Sequence, residues 1–351
     1  MKRSSHQLVL GDARELGAVR DATVDLVVTS PPYPMIEMWD ECFRTMSPAA
    51  GQALDRGDGT AALEAMHRQL DRVWDQAHRV LTPGGFACIN IGDATRTIGG
   101  QFQLFSNHAR ILAGAQRAGF TVLPDILWRK PTNAPNKFMG SGMLPAGAYV
   151  TYEHEYVLIL RKGGKRRFAS QADKARRRES AFFWEERNVW FSDIWQGLRG
   201  VGQKLGAGPA RKRSAAFPLE LAYRLVAMYS LQGDTVLDPF VGTGTTMVAA
   251  ACQARNSVGV ELDASLESLV DESMGTVPAV AADRGQQRIQ AHLGFVEARQ
   301  ASGKPVKHCS ERYGFPVMTL QERDLVLHDA QVVSAGGGRW EFGHSELGPA
   351  L

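Results

Sequence analysis

Four consecutive residues near the N-terminus, Ser30-Pro31-Pro32-Tyr33, combine a hydroxyl, a rigid backbone and an aromatic ring. The exocyclic amino nitrogen of a nucleobase is a poor nucleophile, because its lone pair is delocalised into the ring. Acceptors must hold its hydrogens out of plane before it can attack a methyl group. Ser30 offers a hydroxyl oxygen, and the Pro31 carbonyl is rigidly aimed because both prolines have a fixed φ. Tyr33 can stack on an extruded base, worth about 1–3 kcal/mol, which offsets much of the cost of base flipping. The alternative is a plain proline turn after a strand.

A second motif, Asp238 to Thr246, has the composition of a cofactor-binding loop. Its glycines lack Cβ, so backbone can approach a ligand closely and adopt positive φ. The helix that follows offers free N–H groups to a carboxylate such as that of a methionine moiety. Glu261 follows Asp238 by 23 residues, a separation at which an acid can bind ribose hydroxyls. The predicted S-adenosylmethionine site comprises Asp238, Pro239, Phe240, Gly242, Gly244, Thr245, Thr246 and Glu261.

Two other interpretations of this loop are a plain glycine-rich turn and a nucleotide site of another kind. A phosphate-loop NTPase is disfavoured because no lysine follows the glycines. Asp238 would also repel phosphate, whereas a sulfonium cofactor tolerates it. Cytosine C5 chemistry is set aside because it needs a cysteine nucleophile, and no cysteine here has the proline before it that C5 enzymes place there.

Both motifs follow short apolar runs that are predicted as strands. The predicted strands are 24–29, 86–91, 122–128, 156–160, 235–237 and 257–260, and the predicted helices are 63–81, 103–118, 217–231 and 245–254. Strands that alternate with helices indicate an α/β fold with a mostly parallel sheet and helices on both faces. Residues 44–62 are predicted as a loop or insertion. Beyond about residue 300 the pattern weakens, which suggests a small appended unit or partial disorder.

The composition is that of an ordinary globular protein with 351 residues and a formal net charge of +3. Residues 161–213 carry 15 Lys and Arg against 5 Asp and Glu, whereas the rest of the chain is net acidic. Because aromatic residues interleave with this charge, the segment is predicted to contact a polyanion; the alternative is a solvated charged face. The predicted DNA-binding residues are Lys165, Arg166, Arg167, Lys174, Arg176, Arg177, Arg178, Arg211, Lys212 and Arg213.

Sequence features also indicate the compartment. The four cysteines are scattered without a C-x-x-C pair, so no zinc or other metal site is expected and a reduced cytoplasm fits. No apolar run approaches a membrane span, and Met1 to His6 carries charge with no apolar segment behind it. We therefore expect a cytoplasmic protein.

Taken together, the motifs resemble the DNA amino-methyltransferases, specifically the permuted beta class, across residues 6–265. There the catalytic motif comes first, the target-recognition region lies in the middle and the cofactor motif comes last. Further segments carry the resemblance: Gly11-Asp12, Thr82-Pro83-Gly84-Gly85, Trp128-Arg129-Lys130, His154-Glu155-Tyr156 and Phe217-Pro218. The resemblance implies a Rossmann-like fold, S-adenosylmethionine as cofactor and double-stranded DNA as partner.

Individual roles follow from the same resemblance. Asp12 would bind the adenine amino group of the cofactor, and Phe217 with Pro218 would cover its methionine end. The implied units are 1–162 (catalytic half), 163–213 (target recognition), 214–275 (cofactor half) and 276–351 (an extension of unknown role). In that family, serine at the first position of the catalytic motif goes mainly with cytosine N4, and Asp or Asn goes mainly with adenine N6.

The leading hypothesis is therefore a sequence-specific cytosine-N4 DNA methyltransferase that acts on a flipped base, as a monomer or homodimer. A restriction endonuclease for the same site is a possible partner. The alternatives left open are an adenine-N6 enzyme, a catalytically inactive DNA-binding subunit, and methylation of RNA or of a protein amide.

Overall fold

The computed structural model describes residues 2–130, 139–198 and 217–348. The strands are β1 (Lys2–Leu10), β2 (Val24–Thr29), β3 (Leu81–Ile91), β4 (Ala94–Ile98), β5 (Gln101–Phe105), β6 (Phe120–Val122), β7 (Ile126–Arg129), β8 (Met139–Gly140), β9 (Ala148–Tyr149), β10 (His154–Lys162), β11 (Ile194–Trp195), β12 (Thr235–Asp238), β13 (Asn256–Glu261), β14 (His308–Cys309), β15 (Pro316–Val317), β16 (His328–Gly336) and β17 (Arg339–Glu346). The α-helices are α1 (Asp40–Met46), α2 (Pro48–Asp55), α3 (Gly59–Val80), α4 (Asn107–Arg117), α5 (Gln171–Glu179), α6 (Trp184–Trp190), α7 (Leu219–Tyr229), α8 (Thr245–Ala251), α9 (Glu267–Gly275) and α10 (Val277–Ala301). Among these described helices, none is both long and apolar enough to cross a membrane.

One 11-stranded sheet organises the chain, in the order β11-β7-β10-β3-β2-β12-β13-β1-β17-β16, with β6 beside β10. The five central strands β3, β2, β12, β13 and β1 pair in parallel. Both flanks are joined antiparallel, β10 to β3 and β17 to β1. We call the edge at the carboxyl ends of the central strands the carboxyl edge, and the opposite one the amino edge. In such sheets, ligands bind beyond the carboxyl edge.

Helices cover both faces of the sheet, as predicted. On one face, α1 to α4 bury a core that includes Phe43, Leu70 and Trp74. On the other face, α7, α8 and α10 pack around Leu221, Met247 and the opposite sides of the same strands. A helix with one apolar stripe can bury it only against another element. The layered α/β architecture therefore follows from the sequence pattern.

The prediction of a loop at residues 44–62 was wrong, because three helices pass through this region. Ser47 accepts a hydrogen bond from the Ala50 backbone N–H at 3.3 Å, and Pro48 occupies the first turn of α2. This Ser-Pro pair is a helix-start signal. Ala50 and Ala53 of α2 are buried in the same core as Ala62 and Ala65 of α3, so their small size reflects helix packing and not a loop.

Two predicted boundaries also differ. The helix predicted from residue 103 begins at Asn107, because residues 101–105 form a hairpin strand with β4. The strand predicted over 122–128 is two strands, β6 and β7, interrupted around Pro124. Proline lacks the N–H that a ladder needs, which explains the interruption.

The region beyond residue 300 is more ordered than its sequence pattern suggested. The hairpin β16–β17 extends the main sheet, and β17 pairs with β1 from Lys2↔His344 to Gln7↔Arg339. A small separate core, which includes Phe183, Ile289 and Phe315, joins this region to α6 and α10. The C-terminal segment is thus packed onto the same sheet as the two motifs.

Candidate active site

The two motifs meet at the carboxyl edge. Their strands β2 and β12 are neighbours, with Val27 paired to Leu237. The Thr29 hydroxyl donates to Asp238 Oδ1 at 2.6 Å, which joins the residue before Ser30 to the first residue of the glycine loop. A cavity of about 470 Å³ opens beside this contact, and both Ser30-Pro31-Pro32-Tyr33 and the glycine loop line it.

Asp238 is the buried junction of the site. Its Oδ1 also accepts from the Phe240 backbone N–H at 3.0 Å, and its Oδ2 accepts from the Thr246 hydroxyl at 2.7 Å. Burial raises the pKa of Asp238 to about 6, although the hydrogen bonds from Thr29 and Thr246 oppose this shift. Its partners come from the end of β2, from the glycine loop and from the first turn of α8. Asp238 therefore holds the two motifs in register.

The glycine loop has the conformation that its sequence requires. Gly244 adopts φ +88° immediately before α8, a conformation that L side chains avoid. Gly242 has φ +54°, and its N–H donates to Glu261 Oε2 at 2.9 Å. The other oxygen of Glu261 accepts from the Asp263 N–H at 3.0 Å. These two bonds fix the Glu261 carboxylate against the cavity, and burial raises its pKa.

Most predicted cofactor residues line this cavity: Asp12, Phe217, Asp238, Pro239, Phe240, Gly242, Thr245 and Glu261. Pro218, Gly244 and Thr246 do not line it. Pro218 is the N-cap of α7, Gly244 is the N-cap of α8, and Thr246 turns towards Asp238. Asp12 is held by Arg14 in a two-pronged pair at 2.5 and 2.9 Å, which lowers the pKa of Asp12.

Sequence reasoning missed one wall of the cavity. Trp39, Met46, Gln69, Leu70 and Val73 line it from the helical layer that precedes β3. The apolar spacing of α3 predicted a helix but could not show that its Leu70 face borders a cavity. Met46 lies inside the stretch 44–62 that was predicted to be a loop, and Trp39 lies just before it. No signal in the sequence therefore marked either residue.

The cavity fits S-adenosylmethionine in size and chemistry. Its volume lies within the usual range of small-molecule sites. Its four acidic residues, Asp12, Asp238, Glu261 and Asp263, favour a cofactor with a sulfonium and an α-amino group over an anionic nucleotide. The apolar wall of Leu70, Val73 and Phe240 offers a surface for a flat purine. These residues would hold the cofactor between the two motifs.

Ser30 and Tyr33 belong to a hydrogen-bonded chain that extends away from the cavity. Ser30 Oγ donates to Tyr33 Oη at 3.1 Å, and Tyr33 Oη donates to Glu155 Oε2 at 3.0 Å. Asn90 donates to both Tyr33 and Glu155, and Lys130 pairs with Glu155 at 2.8 Å. Sequence reasoning placed 128–130 and 154–156 on core strands but gave Lys130, Glu155 and Asn90 no role.

Several of the predicted DNA-binding residues pair with acidic side chains of the same chain. Arg166 pairs with Asp234 at 2.6 Å and with Asp25 at 3.4 Å, and Arg176 reaches the same Asp234. Asp25 and Asp234 stand at the starts of β2 and β12, so these arginines lie at the amino edge. Arg178 pairs with Asp324, and Arg177 stacks over Phe168. Lys165 and Arg167 flank Arg166 and Lys174 lies in α5, whereas Arg211, Lys212 and Arg213 lie outside the described residues. Their contact with DNA stays a prediction.

Comparison with known proteins agrees with this geometry. Residues 24–272 match the model of a DNA methylase family, N6_N4_Mtase. The chain is 47% identical over 349 residues to the type II methyltransferase M.MthZI of Methanothermobacter thermautotrophicus, covering 99% of this chain and 97% of the relative. It is also 47% identical over 283 residues to the type II methyltransferase M.MjaI of Methanocaldococcus jannaschii, covering 78% and 92%. The crystal structure of a DNA modification methylase from Thermus thermophilus, TTHA0409, complexed with S-adenosyl-L-methionine, aligns with a TM-score of 0.60 and 36% identity, covering 78% and 95%.

Proposed function

This chain belongs to the DNA methylase family, and on that premise we propose that it methylates the exocyclic N4 of cytosine in double-stranded DNA. Enzymes of this family use S-adenosyl-L-methionine as methyl donor, and their substrate is DNA. The choice of cytosine N4 and the assignment to the permuted beta class are our inferences. So is the set of catalytic and cofactor-binding residues.

One observation carries the proposal: the Ser30 to Tyr33 turn and the Asp238 to Thr246 loop line the same cavity and are joined by the Thr29–Asp238 hydrogen bond. Transfer requires the nucleophilic nitrogen and the methyl group to lie in line. Holding two reactants in this geometry is a large part of the rate enhancement of such reactions. A cavity with the catalytic turn on one side and the cofactor loop on the other meets this requirement.

Bound cofactor supplies a methyl group on a positively charged sulfur. The remaining work falls to the protein. Ser30 and the Pro31 carbonyl accept hydrogen bonds from the amino group, and Tyr33 stacks on the flipped base. Asp238 keeps the glycine loop aligned with this turn, and Glu261 would hold the ribose hydroxyls of the cofactor.

Serine at position 30 supports cytosine N4 as the target. The residue is a neutral acceptor beside the cavity, and in the family that the motifs resemble, serine here goes mainly with cytosine. The order of segments along the chain supports the permuted beta class, because the catalytic turn precedes the cofactor loop by about 200 residues. Adenine N6 is the alternative that the assay must separate.

Duplex DNA would approach the carboxyl edge, where the cavity opens. β7 ends there, and the hairpin β8–β9 that follows carries Met143 and Leu144, which are 85% and 70% exposed. Exposed apolar side chains of this kind can enter a DNA helix at a disrupted base step. Arg129, exposed at the end of β7, is a candidate phosphate contact. Within 163–213, β11 ends at this edge, whereas Arg166 lies at the amino edge. The segment that contains β11 is therefore a better candidate for recognition of the target sequence than Arg166.

The test is an assay with labelled S-adenosylmethionine and mixed-sequence duplex DNA, followed by nucleoside analysis. We expect the label in N4-methylcytosine. Label only in N6-methyladenine would overturn the base assignment, and label only in RNA or protein would overturn the substrate class. Single-molecule sequencing of host DNA would then identify the recognition sequence.

A Ser30→Ala variant separates an enzyme from an inactive DNA-binding subunit. We expect it to bind DNA as the parent protein does while methyl transfer is lost. If the parent protein binds DNA but also transfers no methyl group, the inactive DNA-binding subunit is favoured. We also propose that a restriction endonuclease cleaves the same sequence. In sedimentation we expect the protein to be a monomer or a homodimer.

A further inference from the structure

Behind the catalytic turn, a buried carboxylate forms the end of the Ser30–Tyr33 hydrogen-bonded chain. Glu155 does not line the cavity. Its Oε2 accepts from Tyr33 Oη at 3.0 Å and from Asn90 Nδ2 at 2.7 Å, and its Oε1 accepts from Lys130 Nζ at 2.8 Å. The Glu155 side chain is 11% exposed. A buried charge of this kind is tolerated because donors surround it.

The contacts determine which way each hydroxyl points. A carboxylate without a proton can only accept, so Tyr33 must give its single hydrogen to Glu155. The two lone pairs of Tyr33 Oη then accept from Asn90 Nδ2 at 2.8 Å and from Ser30 Oγ at 3.1 Å. The hydrogen of Ser30 is therefore committed to Tyr33. Towards the cavity, Ser30 Oγ offers lone pairs alone.

Two observations support this direction. Burial and the charge of Glu155 raise the pKa of Tyr33 well above its usual value, so the Tyr33 hydroxyl keeps its hydrogen. Asn90 is 2% exposed, and its Oδ1 is buried without a hydrogen-bond partner among the residues that the structure describes. A flipped amide would turn that oxygen towards Glu155, where it would be repelled. The unsatisfied oxygen is the cost of keeping the Asn90 donors on Tyr33 and Glu155.

We propose that Glu155 is a positioning residue that sets the direction of this chain, so that Ser30 accepts from an amino group and discriminates against a carbonyl. The inference rests on the proposed function and deepens it. A base with an exocyclic amino group, such as cytosine, presents hydrogens to the Ser30 lone pairs. A base with a carbonyl at the same position, such as uracil, presents lone pairs and is repelled.

The substitution Glu155→Gln tests the direction with little change in shape. Lys130 has donors alone, so it retains the amide oxygen and turns the new NH2 towards Tyr33. We expect the single-turnover rate of methyl transfer to fall at least tenfold while the dissociation constant for S-adenosylmethionine changes less than twofold. A rate within threefold of the parent protein would contradict the proposal, and so would a loss of rate that follows an equal loss of cofactor binding.

Two double variants separate direction from general stability. If Glu155 acts through the Tyr33 hydroxyl, adding Glu155→Gln to Tyr33→Phe should change the rate less than twofold; independent, multiplying losses would refute this. Asn90→Asp with Glu155→Gln returns a carboxylate to Tyr33 from the neighbouring position. We expect this swap to be at least threefold faster than Glu155→Gln alone, and a swap that is no faster would also count against the proposal.

Glu64→Gln is the matched control. Glu64 lies on α3, does not line the cavity, and its carboxylate pairs with Arg110 at 2.8 Å. Its single-turnover rate should stay within twofold of the parent protein. The parent protein also separates the two levels of inference: if it methylates no nucleic acid, the proposed function fails, whereas an active parent with an unaffected Glu155→Gln variant rejects the role of Glu155 alone.

Discussion

The Thr29 hydroxyl lies 2.6 Å from the Asp238 carboxylate, although 209 residues separate them along the chain. Each residue closes its own strand, and each stands at the start of one of the two motifs that line the cavity. This hydrogen bond is therefore a direct link between the catalytic turn and the cofactor loop. Its removal should affect the two motifs together.

We predict that Thr29→Val, which keeps the shape of the side chain, lowers the free energy of unfolding by about 1–3 kcal/mol. Asp238 would keep two of its three donors, so the fold should survive. Cofactor affinity should fall as well, because the glycine loop loses its tie to β2. Denaturant unfolding and calorimetric titration measure both. Thr23→Val is the control, because the Thr23 hydroxyl meets an exposed carbonyl of Arg20; an equal loss there would remove the special role of Thr29.

Asp238→Asn should change how stability depends on pH. The pKa of Asp238 is raised from 3.8 to about 6, so the folded protein binds this proton more tightly than the unfolded chain does. Stability from this group is fully present below about pH 4 and is lost as the pH rises through 6. This pKa difference between the unfolded and folded states corresponds to about 3 kcal/mol of unfolding free energy. Relative to the Asn variant, the parent protein should lose that amount between about pH 4 and pH 7. A difference that stays constant across this range would show that burial does not perturb Asp238.

Gly244→Ala should destabilise the protein by about 1–2 kcal/mol, because the residue has φ +88° and an added Cβ would lie 3.3 Å from Val270. Cofactor binding should weaken in parallel. Gly275→Ala provides a matched comparison, since Gly275 ends α9 in open space without a positive φ. That variant should be neutral or slightly more stable. Thermal melting with and without S-adenosylmethionine measures both; equal behaviour of the two variants would argue against a conformational requirement at Gly244.

Arg166→Gln distinguishes a structural arginine from one that binds DNA. Its guanidinium neutralises Asp234 and Asp25 at the amino edge, so we expect a loss of about 1–3 kcal/mol in unfolding free energy. The salt dependence of DNA binding should stay unchanged. Arg129→Gln, at the carboxyl edge, should lower the slope of log affinity against log salt by about one. If the Arg166 variant lowered that slope instead, the sequence-based assignment of Arg166 to DNA would stand.

The sequence predicted the strands that end in the two motifs, because strand periodicity and motif chemistry are local signals. It could not predict the partners of buried polar groups. Arg166 lies in a basic run that resembles a DNA-binding segment, yet two aspartates distant in sequence pair with it. Glu155 and Asn90 lie on strands whose register alone brings them to Tyr33. The helices at 44–62 were missed because small residues suit both loops and close helix packing.

The position of β1 in the sheet affects the order in which the chain folds. His6 in this strand pairs with Ser257 of β13 on one side and with Trp340 of β17 on the other. Pairing between segments so far apart along the chain is slow to form. We therefore expect β1 to join the sheet late in folding. A chain cut before β17 would leave one edge of β1 unpaired and open to pairing with other chains.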